Sequence, residues 1–292
     1  MVTRMALPGL VIKEHTFHWD SRTYIMGVIN VTPDSFSDGG KFSSPERAKR
    51  QAASLVAAGA DILDIGGEST RPFSEPVTLE EELHRVIPVI REIREISDCP
   101  ISVDTVKADV AEAALYEGAD IINDISALRF DPRMADVASA FEAPVVLMHM
   151  KGSPRDMQVD PYYEDVVGEV KGFLEKRMAW ANSKGIPKGK MLIDPGIGFG
   201  KSFQDNLVLI NRLEEFTGLG VPVMVGVSRK AFLGAIAGMN EAEERDVATL
   251  GAIAVSAMRG ADLVRVHNVA LTRQVLRVVD AICRESIIYK TV

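Results

Sequence analysis

Eight apolar runs in this chain each meet a side chain that can handle charge: Asn30, Asp64, Asp104, Asn123, His149, Asp194, Ser228 and Arg265. Asp104, Asn123 and Asp194 can grip the donor edge of a guanidine-like heterocycle, or stabilise positive charge that develops during a reaction. The complementary set comes late in the chain. Ser228-Arg229-Lys230 and Arg265-Val266-His267 offer Ser228, Lys230, Arg265 and His267 as donors to an anion such as phosphate. Taken alone His267 would read as structural; two residues from Arg265 on one strand end, it reads as part of an anion site. Asn30 supplies a neutral oxygen suited to Mg²⁺ or to a phosphate hydrogen bond.

Two glycine-rich stretches bring further groups. In Gly66-Gly67-Glu68-Ser69-Thr70-Arg71-Pro72 the glycines let backbone approach a ligand, and Arg71 can fork onto a carboxylate or phosphate. Asp194-Pro195-Gly196-Ile197-Gly198-Phe199-Gly200-Lys201-Ser202 ends like a P-loop, yet Pro195 stands where that motif needs its first glycine. A dinucleotide fingerprint counted from Gly196 fails as well, because Lys201 occupies its last glycine. What remains is a carboxylate at a strand tip, followed by a flexible loop that carries an exposed Phe199 and suits a flat heterocycle. No cluster with zinc spacing and no Gly-x-Ser-x-Gly elbow is present, so covalent hydrolase chemistry fits poorly.

The elements that must position these groups follow a repeated pattern. Gly59-Ala60-Asp61, Gly118-Ala119-Asp120 and Gly260-Ala261-Asp262 each close a helix-like stretch and open an apolar run. With the runs from Tyr24, Ile101, Val145, Met191 and Val223, eight buried strands are expected, separated by helices such as 45–58, 79–96, 162–184, 206–216 and 269–284. That alternation predicts an α/β fold with a parallel sheet, and eight units in 292 residues favour a closed (β/α)8 TIM barrel. The polar residues would then share the C-terminal rim, where such barrels keep their chemistry and bind phosphate after the last two strands. Residues 1–23 read as an extension, with Lys13 to Thr23 a short hairpin plugging the barrel bottom, and 24–292 as the single catalytic domain. The long polar loop after Asn30 reads as a lid, and Glu80, Glu81, Glu82 and Arg85 as a solvated helix face.

Composition narrows the class. A net charge of −8 argues against nucleic acid as the partner, and no apolar run is long enough to span a bilayer. No apolar segment of signal-peptide type follows Met1, and two cysteines, Cys99 and Cys283, suit a reducing cytoplasm and read as small buried hydrophobes.

Jointly these blocks resemble the dihydropteroate synthase family. The resemblance rests on Gly27 to Gly40, Gly66 to Pro72, Ser102-Val103-Asp104-Thr105, Ile122-Asn123-Asp124, Leu147-Met148-His149-Met150, Asp194 to Lys201, Gly226 to Lys230 and Arg265-Val266-His267, in family order along the chain. It implies a TIM barrel, a homodimer, Mg²⁺ as cofactor, and condensation of (7,8-dihydropterin-6-yl)methyl diphosphate with 4-aminobenzoate in folate biosynthesis. By the same resemblance Asp104, Asn123, Met148, Asp194, Phe199 and Lys230 would form the pterin site. Asn30, Arg265 and His267 would hold diphosphate, with Asn30 toward the metal, and Asp104, Lys230, Arg265 and His267 would be catalytic. Phe36, Thr70, Arg71, Pro72, Ser228 and Lys230 would shape the 4-aminobenzoate site, which sulfonamides occupy in the family. Phe73 stands where many members have glycine, and Asn268 where aspartate is frequent. A methyltetrahydrofolate-dependent methyltransferase, or a non-catalytic pterin-binding barrel, would share the acidic set; the methyltransferase has no need of the Ser228/Lys230/Arg265/His267 anion site.

Overall fold

A computed structural model describes residues 7–32, 44–71 and 73–287. Phe36, Pro72 and most of the loop after Asn30, the expected lid, lie outside the described residues.

Eight parallel strands make the barrel: β3 (Tyr24–Asn30), β4 (Ile62–Gly66), β5 (Ile101–Asp104), β6 (Ile121–Asp124), β7 (Val145–Met148), β8 (Met191–Asp194), β9 (Met224–Val225) and β10 (Leu263–Val266). They pair in the order β8-β7-β6-β5-β4-β3-β10-β9, and a single parallel bridge, Ile193↔Val223, joins β8 to the start of β9. Around them run α1 (Ser44–Ala57), α2 (Leu79–Arg94), α3 (Ala108–Tyr116), α4 (Met134–Ala140), α5 (Val166–Ser183), α6 (Phe203–Asn211), α7 (Glu214–Thr217), α8 (Ala231–Ala237), α9 (Asp246–Met258) and α10 (Val269–Arg284). The strands are apolar on both faces because helices cover the outside and side chains fill the inside. No described helix is long and apolar enough to cross a membrane.

The repeated Gly-Ala-Asp segments have a mechanical explanation. Gly59, Gly118 and Gly260 adopt φ of 97°, 107° and 98°, the left-handed turn that ends a helix and that side chains resist. The aspartate that follows reaches across to the neighbouring strand. Asp61 Oδ2 accepts the Ile25 N–H (2.9 Å), Asp120 Oδ2 that of Ile101 (2.8 Å), and Asp262 Oδ2 that of Val223 (2.7 Å). Each carboxylate thus pins an amide at or next to the start of the adjacent strand, at the end of the barrel away from the site. Asp120 also pairs with Arg94 and Lys13. Asp120→Ala leaves the buried Ile101 N–H and the Arg94 guanidinium without it, and is expected to lower stability by about 3 kcal/mol in urea titration.

The barrel bottom is plugged by the antiparallel pair β1 (Leu10–Ile12) and β2 (His15–Phe17), with Leu10 opposite Phe17. Leu10, Ile12, Phe17 and Trp19 pack on strand-heading residues such as Tyr24, Ile62, Ile121 and Leu263. The hairpin therefore spans 10–17 and is centred earlier than Lys13 to Thr23. Lys13 lies in its turn with φ 51°, while Thr23 belongs to the barrel wall, where its N–H and hydroxyl donate to Asp280.

Two other expectations give way. Glu82 is 1 % exposed and pairs with Lys107 (2.5 Å), and Arg85 donates from Nη1 to the Gly67 carbonyl (2.8 Å), so these two do not form a solvated face. Their carboxylate and guanidinium point inward because α2 lies against the loop that leaves β4. Cys99 is buried, and burial pushes its thiol up to about 12; Cys283 is only partly covered.

Candidate active site

At the C-terminal end of the barrel a chain of ionic hydrogen bonds crosses the interior. Arg265, on β10, donates from Nε to Asp64 Oδ2 (2.6 Å) and from Nη2 to Asp104 Oδ2 (2.7 Å). Asn123 Nδ2 lies 3.3 Å from Asp64 Oδ2 as a donor. Asp64 is mid-strand in β4 and fully buried, not a rim residue, because β4 continues through Ile65 to Gly66. Its charge is answered from across the barrel, as a buried carboxylate requires. Arg265 likewise sits one residue before the end of β10. Burial opposes its charge, but Asp64 and Asp104 overcome that and hold the guanidinium above its usual range.

Asp104, at the tip of β5, is pushed up to about 7: burial is the main cause, Arg265 opposes it, and Asp64, Glu82 and Asp124 add repulsion. Asp194, at the tip of β8, is pushed up to about 6 by burial, against the Gly196 N–H it accepts (2.7 Å) and the charges of Lys230, Lys201 and Arg265. Lys230 is pushed down to about 8 by burial and by Arg265, with Asp194 and Asp104 opposing. Its ammonium lies 4.1 Å from the centre of the Phe199 ring. Phe199 is 9 % exposed and clusters with Met148, Met150, Ile125 and Met157, so the aromatic expected to project into solvent is instead a wall.

The anion-donor side also assembles. Ser228 Oγ and His267 Nδ1 are 2.9 Å apart, and the His267 N–H donates to the same hydroxyl (3.2 Å). Burial, then Arg265, Arg229, Lys230 and Arg71, push His267 down to about 3, so the ring is neutral at pH 7. Arg229 is not in this set. It adopts φ 59° and its guanidinium turns to Asp246 (2.8 Å), which also accepts from Asn268 Nδ2 (2.8 Å). Asn268 caps α10 by accepting the Leu271 N–H (3.2 Å), a duty an aspartate oxygen would share.

Asn30 ends β3 half-buried, and Thr70 and exposed Arg71 follow β4. The loop after β4 crosses the mouth. Phe73 N–H donates to the Pro154 carbonyl (3.0 Å), Arg155 pairs with Glu75 (3.0 Å), and Phe73 holds φ 64°, a conformation glycine adopts freely. Beneath lies a cavity of about 280 Å³ lined by Thr70, Asp104, Val106, Ile125 and Phe130 among others. Lys107, bonded to both Glu68 and Glu82 (2.5 Å each), anchors that loop to its floor. Sequence reasoning missed Asp64 as an interior ion, Glu82 and Lys107 as loop anchors, and Lys201 as a buried cation.

The rim therefore places an acidic pocket beside a cationic one on a TIM barrel, and the comparisons agree with that geometry. A family profile described as pterin binding enzyme matches residues 26–267. The chain belongs to this family of pterin-binding enzymes. It is 44 % identical over 277 residues to the dihydropteroate synthase of Synechocystis, covering 95 % of this chain and 96 % of that one. It is 46 % identical over 257 residues to that of Haemophilus influenzae, covering 88 % and 93 %. Among solved structures, the Xanthomonas albilineans dihydropteroate synthase with 4-aminobenzoic acid superposes with TM-score 0.89 at 46 % identity, covering 94 % of this chain and 98 % of that one. The same enzyme with 7,8-dihydropteroate gives 0.86 at 44 %, covering 94 % and 98 %. Within the family the chain falls among the dihydropteroate synthases, transferases of folate synthesis.

Proposed function

We propose that the site joins (7,8-dihydropterin-6-yl)methyl diphosphate to 4-aminobenzoate by a dissociative, SN1-like displacement in which the two halves of the rim stabilise the separating charges. The carrying observation is Arg265, which is bonded to Asp104 and stands beside Lys230 and His267. Asp104, Asn123, Asp194 and Lys230 hold the pterin edge against Met148 and Phe199. The methylene C–O bond breaks and its electron pair leaves with diphosphate, received by Asn30, Arg265 and His267. Cationic character on the pterin and its methylene is stabilised by Asp104. The aromatic amine then forms the C–N bond, and its proton is lost to solvent once the loops reopen for product release. Thr70, Arg71, Ser228 and Lys230, with Phe36 and Pro72, orient the aminobenzoate carboxylate and ring. No strong protein nucleophile is needed. Closure of the loops after β3 and β4 would keep water from the cation.

Mg²⁺ fits this donor set as a companion of the substrate. No group of three or more acidic, histidine or cysteine side chains that could hold a metal occurs among the described residues. One hard oxygen, Asn30, at a strand tip suits an ion that takes most of its ligands from phosphate and water. When bound it would neutralise charge on the leaving diphosphate.

A homodimer is part of the same proposal. Val247, Val255 and Met258 form an exposed apolar stripe on α9, and Leu271, Val278 and Ile282 one on α10, which packs beside it. A second copy of this face would cover both, and sedimentation velocity reads the outcome directly.

Diphosphate release with Mg²⁺ tests the function. Release that requires 4-aminobenzoate, with dihydropteroate identified by mass, is expected. For the dissociative route, ¹⁸O placed in the bridging position should scramble into non-bridging positions before turnover. Absence of scrambling at partial conversion argues for direct attack.

A further inference from the structure

The loop between β8 and α6 is tied down far more thoroughly than its glycines suggest. Gly196 N–H donates to Asp194, Gly198 N–H to Asn206 Oδ1 (2.7 Å), Gln158 to the Gly198 carbonyl (2.7 Å) and Tyr163 to that of Gly200 (2.7 Å). At its centre is Lys201, 1 % exposed. Its ammonium donates to the carbonyls of Gly196 (2.8 Å) and Phe199 (2.9 Å) and sits 3.0 Å from His149 Nδ1. With the His149 carbonyl (3.4 Å) its three donors face four neutral acceptors, and among the described residues no carboxylate lies in hydrogen-bond reach, an expensive way to bury a charge unless the charge is used. The loop is nested on β7: a Cβ at Gly196, which has φ 70°, would stand 1.9 Å from the His149 carbonyl oxygen. On its other side a Cβ at Gly198 would stand 3.0 Å from Lys230 Cδ, so the loop has little room to slide.

We propose that Lys201 is a positioning residue for the pterin pocket: it clamps the Gly196–Phe199 loop to His149 so that Phe199 and Asp194 face the heterocycle together, and its cation lies behind that loop as a counter-charge to Asp194. Burial pushes Lys201 down to about 7, with Asp194 the main opposing influence, and Lys201 in turn favours the ionised form of Asp194. His149 is driven to about 2 by burial and then by Lys201, so its ring serves as a neutral acceptor. The inference rests on the assignment of Asp194 and Phe199 to the pterin site.

Lys201→Met keeps the length of the side chain and removes its donors. Calorimetry with a pterin lacking the diphosphate should show at least tenfold weaker binding. The KM for the pterin diphosphate should rise in step, while kcat and the KM for 4-aminobenzoate stay within threefold. Lys201→Arg, which retains donors and charge, should recover part of the affinity. A lower melting temperature with unchanged pterin affinity, or a loss confined to kcat, overturns the proposal. Should Lys201→Met fail to fold, Lys201→Gln keeps an N–H donor without the charge, and at least threefold weaker pterin binding is expected; unchanged binding overturns the proposal. Asp194→Asn is the control on the site itself. If it leaves pterin affinity intact, the pocket assignment fails; if it abolishes binding while Lys201→Met does not, only the positioning role fails.

Discussion

Arg265→Met is expected to lower kcat/KM by roughly a thousandfold and to cost the fold about 3–5 kcal/mol. The reason is geometric. Methionine preserves most of the volume but takes away the guanidinium 2.6 Å from Asp64, a carboxylate with no solvent exposure, and frees Asp104 as well. As an anion donor alone, Arg265 would matter only to diphosphate. Bonded to two carboxylates, it also sets the charge of the pterin wall, so binding of the free heterocycle should suffer too. Urea titration and the diphosphate-release assay read the two losses separately. Adding Asp64→Asn removes the orphaned charge and should return most of the stability but none of the activity. A double variant no more stable than Arg265→Met would mean that the ion pair is not what the guanidinium supports.

Asp104→Asn should lower turnover by about a hundredfold to a thousandfold and erase an acid limb from the pH profile. Asp104 is raised to about 7, so in the free enzyme the carboxyl gains its charge only as pH rises through that value. Only the ionised form stabilises the developing cation; kcat/KM of the parent should therefore climb with pH toward a plateau above 7. The variant should be flat there. The stability sign is opposite. With a folded value near 7 and an ordinary value of 3.8, the native state holds the extra proton between these limits, so this group's contribution to stability falls as pH rises across them. The enzyme thus keeps a carboxylate that is uncomfortable when empty and relieved by positive charge. An unchanged acid limb in Asp104→Asn would assign the titration to Asp194 or to the substrate.

The barrel and much of its rim were legible in the sequence because buried parallel strands are continuous apolar runs and their polar successors break them. Asp64 was misplaced for the same reason: an apolar run interrupted by aspartate looks like a strand end, and nothing local reveals an arginine two hundred residues away. Glu82 looked solvated because three consecutive glutamates on a helix almost always are; only the tertiary approach of Lys107 makes one of them interior. The glycine loop looked flexible since glycine permits motion, whereas its tethers come from Gln158 and Tyr163 in the loop between β7 and α5 and from Asn206 on α6. Lys201 was visible only as part of a motif that failed, and a failed motif gives no hint of a buried ammonium.

The aspartate pins described above join β3 to β4, β5 to β6 and β9 to β10, while β7 and β8 meet through an ordinary four-residue ladder. Among the described residues, the Ile193↔Val223 bridge and the Ile193 N–H to Pro222 bond (3.0 Å) are the strand pairing that closes the circle between β8 and β9. The barrel is fastened like a band of riveted pairs with a single light clasp. Of the seams that carry no rivet this clasp has the fewest strand pairs, so local opening is expected to start there. Asp194 stands on one side of it and Lys230 on the other, so the weakest seam of the scaffold divides the two walls that must meet around the pterin.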